Sequence, residues 1–395
     1  MAHSRNRATS RPRSVIGVWL ALLAALLAGC APGRSGAHAS SPASAAQAAG
    51  ERWAVVATVP VGGYSPGIAV SRDSRYVYVS NGLGGGNNGD RPGVQVVDAD
   101  RLSVVATFDP GGAAPGDVAV SPENRSIYVA SPGSGTGAEI DIVDAASRAR
   151  VGAIALAADP GLSMNPHFME ISPDGKYLYV TIDGFFEGDD PKYVPGDVGL
   201  FAVVDLATNT VLNTIGLTGD PTAVVSSPDG QCVYVSTDLG VNVIETASLK
   251  VSGLINVAVS GLIHVDGTPQ DLAMSPDGQR LYVSTELGVA VIDTESLKVS
   301  GVIGVEGVPA GMAISPDGRF LYIGRAANGA SEDASGPAGQ GDERQHTLRV
   351  IDTGAGKEVA AVSVGDSRAV AVSPDGSRVY VASPGLVSVV AVSAS

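Results

Sequence analysis

The residues best suited to chemistry in this sequence stand on one short segment, Asn165 to Gly175, with the sequence N-P-H-F-M-E-I-S-P-D-G. Within it, His167 and Glu170 carry side chains that can transfer protons or donate nitrogen and oxygen to a divalent metal. Asn165 and Phe168 flank them and belong to the same candidate pocket. The segment therefore predicts a pocket built around His167 and Glu170.

Three further residues could complete a metal site with this pair. Asp183 begins an acidic insertion, D-G-F-F-E-G-D-D-P-K-Y, and Asp117 and His346 are the other candidate ligands. No close His-x-x-His or Asp-x-Asn-x-Asp spacing accompanies them. We therefore assign no catalytic residue and predict no organic cofactor. A divalent cation on His167, Glu170, Asp183 or His346 is the alternative left open.

Two other motifs resemble catalytic or phosphate-binding sites but are expected to be loops. Gly63 to Gly67 (GYSPG) matches the G-x-S-x-G nucleophile motif, yet no helical segment follows it and a proline comes directly after the serine. Gly84 to Gly89 (GGGNNG) matches G-x-G-x-x-G, but a phosphate-binding loop needs the N-terminus of a helix behind it. Neither motif therefore predicts a reaction.

A repeated phrase, S-P-D-G-x-x-[VLI]-Y-[VI], reveals the elements that must position the candidate residues. The phrase occurs seven times, and in two of the seven copies the S-P-D-G part has diverged. Its tyrosines are Tyr78, Tyr128, Tyr179, Tyr234, Tyr282, Tyr322 and Tyr380. Proline and Asp-Gly favour a tight turn, and the flanking Val and Tyr alternate with the two-residue period of a strand. The repeated aspartate of this phrase indicates turn chemistry, because a catalytic group would not be needed in so many copies.

Each copy lies within a unit of four short apolar segments, as in GIAV, RYVYVS, VQVVD and SVVATF of the first unit. Seven units of four antiparallel strands predict an all-β fold, a seven-bladed β-propeller. The last unit ends after its third strand, whereas Trp53 to Val59 (WAVVATV) precedes the first unit and shares V-V-A-T with Val104 to Thr107. We therefore expect this N-terminal strand to complete the seventh blade and close the ring.

Alignment of the innermost strands on the S-P-D-G serine places the other candidate residues around the central channel. Five positions before that serine stand His167, Gln270 and Arg368, and the next position holds Asp117, Phe168 and Asp271. Two positions further along the strand, the other six blades have alanine or valine, whereas blade 3 has Glu170. We expect these side chains to line a pocket at the channel mouth.

The long insertions all fall on one side of the expected ring. They separate second from third strands at Asn81 to Gly93, Ser131 to Glu139, Ile182 to Gly199 and Gly324 to Thr347. We call this side the long-loop face, and the side with the S-P-D-G turns the turn face. Binding sites on rigid scaffolds are usually carried by loops, so we expect ligands at the long-loop face.

The sequence around the repeats resembles a known family. The runs Y-V-S-N at Tyr78, Y-V-S-T at Tyr234 and Tyr282, and V-I-D-T at Val291 and Val350 are similar to the YVTN-type β-propeller repeat. The resemblance covers residues 51–395 and implies a seven-bladed propeller related to surface-layer, YncE-like and lactonase-like proteins. It implies no single activity, because one fold hosts many functions.

The N-terminus resembles the export signal of a bacterial lipoprotein. Four arginines precede an apolar stretch, Val15 to Ala28, which is too short for a membrane span of roughly 20 residues. Leu27 to Cys30 (LAGC) resembles a lipobox, which implies cleavage after residue 29 and lipid attachment to Cys30. Residues 30–50 are then a flexible Ala/Ser/Gly/Pro tether, and residues 51–395 form the propeller. We expect the protein at the outer surface of the cytoplasmic membrane or in the outer membrane.

The net charge of the chain narrows the classes of partner that we expect. Removal of the signal segment takes away four arginines and no acidic residue, so the formal net charge changes from −15 to −19. Such a surface repels phosphate backbones, which excludes nucleic acid as an expected partner. We expect a monomeric binding or scaffold module for an envelope protein, glycan or small ligand. The alternatives are a lactonase-like or metal-assisted hydrolase with its pocket at the third blade, and a structural envelope component.

Overall fold

The chain folds into a seven-bladed β-propeller, as the repeats predict. The computed structural model describes residues 51–63, 65–82, 92–111, 114–132, 138–156, 162–186, 197–217, 219–249, 261–263, 268–305, 309–325 and 347–394. These residues form seven four-stranded antiparallel sheets and a single 3-10 turn, Thr246–Leu249. Among them, no helix is long and apolar enough to cross a membrane. The predicted signal, the tether with Cys30, and His346 lie outside the described residues.

The first strand, β1 (Glu51–Pro60), precedes the blades, and the remaining strands follow in blade order from the channel outward. Blades 1 to 3 contain β2 (Ile68–Val70), β3 (Tyr76–Asn81), β4 (Gly93–Asp98), β5 (Ser103–Phe108); β6 (Val118–Val120), β7 (Ser126–Ser131), β8 (Glu139–Asp144), β9 (Arg150–Ala155); and β10 (Leu162–Ile171), β11 (Tyr177–Phe186), β12 (Asp197–Asp205), β13 (Thr210–Gly216). Blades 4 and 5 contain β14 (Pro221–Ser226), β15 (Cys232–Thr237), β16 (Gly240–Glu245), β17 (Gly261–Ile263); and β18 (Pro269–Met274), β19 (Arg280–Thr285), β20 (Gly288–Asp293), β21 (Lys298–Ile303). Blades 6 and 7 contain β22 (Pro309–Ile314), β23 (Phe320–Arg325), β24 (Thr347–Asp352), β25 (Lys357–Ser363); and β26 (Ala369–Val372), β27 (Arg378–Ser383), β28 (Leu386–Ala394).

The N-terminal strand closes the ring, which confirms the prediction. β1 pairs antiparallel with β28 and becomes the outermost strand of blade 7, with Trp53 opposite Val392 and Val59 opposite Val387. Trp53 also contacts blade 6, where its ring lies edge-on to Phe320 with centroids 5.1 Å apart. Its indole N–H donates to the Tyr322 hydroxyl over 3.4 Å. The closing strand therefore joins the last two blades as well as the two ends of the chain.

The S-P-D-G phrase is a turn held by its own side chains. In blade 5, the Ser275 hydroxyl donates to Asp277 Oδ1 over 2.6 Å and accepts the Arg280 amide over 2.8 Å. Gly278 has φ +71°, a left-handed conformation that favours glycine. A Cβ at Gly278 would lie 3.3 Å from Pro228 in the turn of the preceding blade. Neighbouring turns thus pack closely on the turn face, and the repeated aspartates are structural.

The core lies in the seams between blades. The tyrosine of every repeat is buried, and β15 is buried along its whole length. Each hydrophobic cluster draws residues from neighbouring blades, as where Tyr282 of blade 5 packs with Leu321 and Ile351 of blade 6. The blades therefore stabilise one another, and the ring forms a rigid frame around the channel.

Candidate functional site

In the part of the chain that the structure describes, the strands of blade 3 extend beyond those of the other blades on the long-loop face. β10 and β11 have ten residues each, whereas the other innermost strands have three to six residues and the other second strands have six. A continuous ladder runs from Leu162 opposite Phe186 to Pro166 opposite Ile182, and the register shifts before Met169. The prediction of an insertion loop over Ile182 to Gly199 is wrong at both ends. β11 continues to Phe186 and β12 begins at Asp197, because the inserted residues pair with each other.

His167 and Asp183 form a pair at the base of this extension. The His167 Nε2 atom lies 3.2 Å from Asp183 Oδ2, and the imidazole ring lies edge-on to Phe168 with centroids 5.8 Å apart. Asn165 is the cross-strand partner of Asp183. The His167 side chain is 46% exposed and that of Asp183 is 17% exposed. A carboxylate that orients an exposed imidazole prepares it to bind a polar ligand or to accept a proton.

A complete metal site is not formed by the described residues, in which no group of three His, Cys, Asp or Glu side chains is placed to hold an ion. His167 and Asp183 could supply two ligands. His346, the other predicted histidine ligand, lies outside the described part of the chain. A metal at this position stays a prediction.

Glu170 contacts a different blade. The Ser226 amide of blade 4 donates to Glu170 Oε2 over 2.6 Å, and the Ser226 hydroxyl donates to Oε1 over 3.0 Å. The Glu170 side chain is half-buried. Burial raises the pKa of Glu170 to about 7, against the opposing effect of both hydrogen bonds. Glu170 and His167 therefore have separate partners.

Asp117 makes the same kind of contact between blades 2 and 3. Its Oδ1 accepts the amide of the next residue, Val118, over 2.8 Å, and its Oδ2 accepts the amide of Met169 in blade 3 over 2.9 Å. Burial raises the pKa of Asp117 to about 7, although both hydrogen bonds favour the ionised form. This carboxyl therefore joins two innermost strands.

Asp271 repeats this arrangement between blades 5 and 6. Its Oδ1 accepts the amide of Leu272 over 2.8 Å, and its Oδ2 accepts the amide of Met312 over 2.5 Å. Burial raises the pKa of Asp271 to about 7, and the negative charge of Asp117 raises it further. Asp117 and Asp271 thus have equivalent structural partners at two positions of the ring.

The remaining candidates stand on other blades. Gln270 of blade 5 is exposed, and its side-chain amide lies 3.5 Å from the Thr268 carbonyl. Arg368, which precedes the innermost strand of blade 7, has its Nε atom 3.4 Å from Asp366 Oδ2. The structure therefore gathers Asn165, His167, Phe168 and Asp183 at blade 3 and assigns Asp117, Glu170 and Asp271 to the seams.

Sequence reasoning missed Ser226, although the sequence contains a signal for it. The position before the S-P-D-G serine is apolar in every other blade: Val70, Val120, Ile171, Met274, Ile314 and Val372. Ser226 departs from this pattern next to the blade in which Glu170 departs from the alanine series. Two departures on adjacent blades indicate a polar contact across the seam.

Comparisons with known proteins agree on the architecture. No known protein family matches the chain as a sequence profile. A stretch of 162 residues, 41% of the chain, is 32% identical to the seven-bladed beta-propeller protein Rv1057 of Mycobacterium tuberculosis. The match spans only 36% of that relative's length. Hydrazine synthase of Kuenenia stuttgartiensis shares the fold with a TM-score of 0.61 and 21% identity, over 85% of this chain and 98% of that chain. At that identity the likeness concerns the fold alone.

Proposed function

We propose that this protein is a lipid-anchored, extracytoplasmic propeller of the YVTN-repeat, YncE-like kind, which binds a ligand through its long-loop face and catalyses no reaction. The extension of blade 3 carries the proposal, because it presents the exposed His167 imidazole, backed by Asp183, on that face. The turn face is occupied by compact turns that pack on one another. A rigid frame with one elaborated face is suited to binding.

The partner proposed is an envelope protein, a glycan or a small ligand, held by a monomeric propeller. Nucleic acid is disfavoured by the formal charge of −15, which becomes −19 without the signal segment. The absence of catalysis is supported by the channel carboxyls. Both oxygens of Asp117, Glu170 and Asp271 accept hydrogen bonds from the protein, as structural carboxyls do.

Shortening blade 3 is expected to abolish binding while the ring stays folded. Residues 183–200 would be replaced by Asp-Leu-Gly, the sequence that closes the equivalent connection of blade 4 at Asp238 to Gly240. Envelope extract and glycan arrays would be probed with the wild-type protein, this variant and His167→Ala. We expect the ligands captured by the wild type to be lost from the shortened variant. Equal capture by both proteins would contradict binding at blade 3.

Cys30→Ser is expected to release the protein from membranes into the soluble fraction. The reason is that a thioether-linked lipid contributes about 0.8 kcal/mol of membrane affinity per buried CH₂, and serine cannot carry it. Membrane fractionation with intact-mass measurement checks this, with Ser35→Ala in the same tether as the control. Retention of Cys30→Ser on membranes would exclude the lipid anchor.

A second candidate, a lactonase-like or metal-assisted hydrolase at blade 3, is favoured by the 3.2 Å contact between His167 and Asp183. An imidazole oriented by a carboxylate can act as a general base toward water. Esters and lactones would be screened with and without added divalent metal. Hydrolysis that disappears in His167→Ala would support this candidate, and its absence under every condition would leave the binding role.

A further inference from the structure

The N-terminal strand enters the propeller at the turn face. β1 begins at Glu51, which lies opposite Ala394 at the end of β28. Near this end of β28, the Val392 amide donates over 3.0 Å to the carbonyl of Ser377, the residue that directly follows the S-P-D-G turn of blade 7. The chain that precedes residue 51 therefore joins the ring at the rim of the turn face.

The other end of β1 lies at the long-loop face. The Val61 amide, directly after Pro60, donates over 2.9 Å to the carbonyl of Gly385 in the hairpin that joins β27 to β28. β1 has ten residues, so its two ends are about 30 Å apart at roughly 3.3 Å per residue. The strand thus runs from one face of the ring to the other, and the N-terminal segment leaves from the face opposite the extension of blade 3.

The proposed lipid anchor would hold the protein by the turn-face end of this strand. The proposed tether, residues 31–50, lies outside the described residues and consists mainly of Ala, Ser, Gly and Pro. A linker of about 20 such residues has a root-mean-square length of about 25 Å. With the long-loop face against the membrane, the linker would also have to cover the length of β1, about 30 Å. The stretching disfavours that orientation by a factor on the order of ten.

The basic side chains give a second, independent indication of the orientation. Acidic residues stand on both faces, but all three lysines of the described residues, Lys176, Lys298 and Lys357, lie in or directly after connections of the turn face, as do most of the described arginines. At the long-loop face, the hairpin tips of blades 4 and 5 carry Asp238 and Glu286 instead. Anionic headgroups attract basic groups and repel acidic ones within about 8 Å, the Debye length in physiological salt. The turn face is therefore the less strongly repelled face at such a surface.

We propose that the turn face lies toward the lipid headgroups of the anchoring membrane and that the long-loop face points away from them. This inference rests on the lipid anchor of the proposed function. The exposed His167 imidazole and the rest of the blade 3 extension then stand on the side away from the bilayer. The partner of this extension is accordingly a molecule outside the anchoring membrane and not one of its lipids.

Energy transfer to labelled lipid measures the orientation. The lipidated protein would be reconstituted in phosphatidylethanolamine and phosphatidylglycerol vesicles that carry rhodamine-labelled headgroups in the outer leaflet. A donor dye would be attached either to Leu287→Cys, at a hairpin tip of the long-loop face, or to Glu295→Cys, in the turn between β20 and β21. Both positions are exposed and lie on opposite faces of blade 5, whereas Cys232 is buried and does not react with the dye.

The dye at position 295 should show about twofold or more the energy transfer of the dye at position 287, because the six residues of β20 separate the two by about 20 Å. Equal transfer, or greater transfer at position 287, would overturn the orientation. Flotation of the same samples reports on the anchor separately. Protein that does not float with the vesicles would overturn the lipid anchor and the orientation together, whereas floating protein with equal transfer would overturn the orientation alone.

A longer tether tests whether the exit point of the chain sets the orientation. Repeats of residues 31–50 would lengthen the tether about fourfold and its root-mean-square length to about 50 Å. This length covers the height of β1 without stretching, so the difference in transfer between the two dyes should fall to about half or less. An undiminished difference would contradict the role of the tether.

Discussion

Deletion of residues 51–60 is expected to abolish cooperative unfolding of the propeller. The deleted strand supplies the outer edge of blade 7, and its loss removes nine aligned residue pairs from the outer side of β28, which keeps only β27 as a neighbour. It also removes the Trp53 contacts with Phe320 and Tyr322 of blade 6. The loss should be on the order of 5 kcal/mol or more, comparable with the total stability of a domain. Thermal unfolding followed by circular dichroism measures it.

A circular permutant provides the matched control. Residues 51–60 would follow Ser395 through a short linker, and the chain would begin at Val61. Glu51 lies opposite Ala394 in the β1–β28 pair, so the moved strand can form a hairpin with β28 in the native register. The permutant should unfold cooperatively, whereas the truncated chain should not. A truncated chain that melts like the wild type would show that the ring closes without this strand.

Gly311→Ala is expected to destabilise the protein by about 3 kcal/mol, near the upper end of the usual cost of overpacking. Gly311 lies in the innermost strand of blade 6, where a Cβ would stand 2.7 Å from the Ala369 Cα and 2.8 Å from the Val370 amide nitrogen of blade 7. These are backbone atoms, so no side-chain rotation relieves the clash. Urea denaturation of the purified variant measures the change in the free energy of unfolding.

Gly301→Ala is the control for this substitution. Gly301 lies in β21, the outermost strand of blade 5, and no atom stands within 4 Å of the Cβ position. Its stability should stay within about 0.5 kcal/mol of the wild type or rise, because alanine loses less backbone entropy on folding than glycine. Similar losses at both positions would show that the seam between blades 6 and 7 is not closely packed.

The contacts of blade 3 show why the candidate site can be predicted only in part from the sequence. The sequence predicts both His167 and Asp183 as pocket residues. Their pairing depends on β10 and β11 continuing beyond the ring, where the sequence predicts an insertion loop. Glu170 was predicted to share a pocket with His167 because it breaks an alanine series. Its actual partner, Ser226, lies 56 residues away in the next blade. Alignment of the repeats identifies the unusual residues, but the distances and strand pairings that join them come from the structure.

The number of blades, the turns and the closing strand could all be predicted from the repeats, because each blade forms the same local contacts with the same residue types. Ser275, Asp277 and Gly278 form their turn through contacts within a few residues, and this chemistry recurs around the ring. The roles of Asp117 and Asp271 become visible in the folded ring alone, because their carboxyls accept hydrogen bonds from amides 52 and 41 residues away. Those contacts depend on where bulges place the backbone of the next blade, and repeat patterns do not encode that distance.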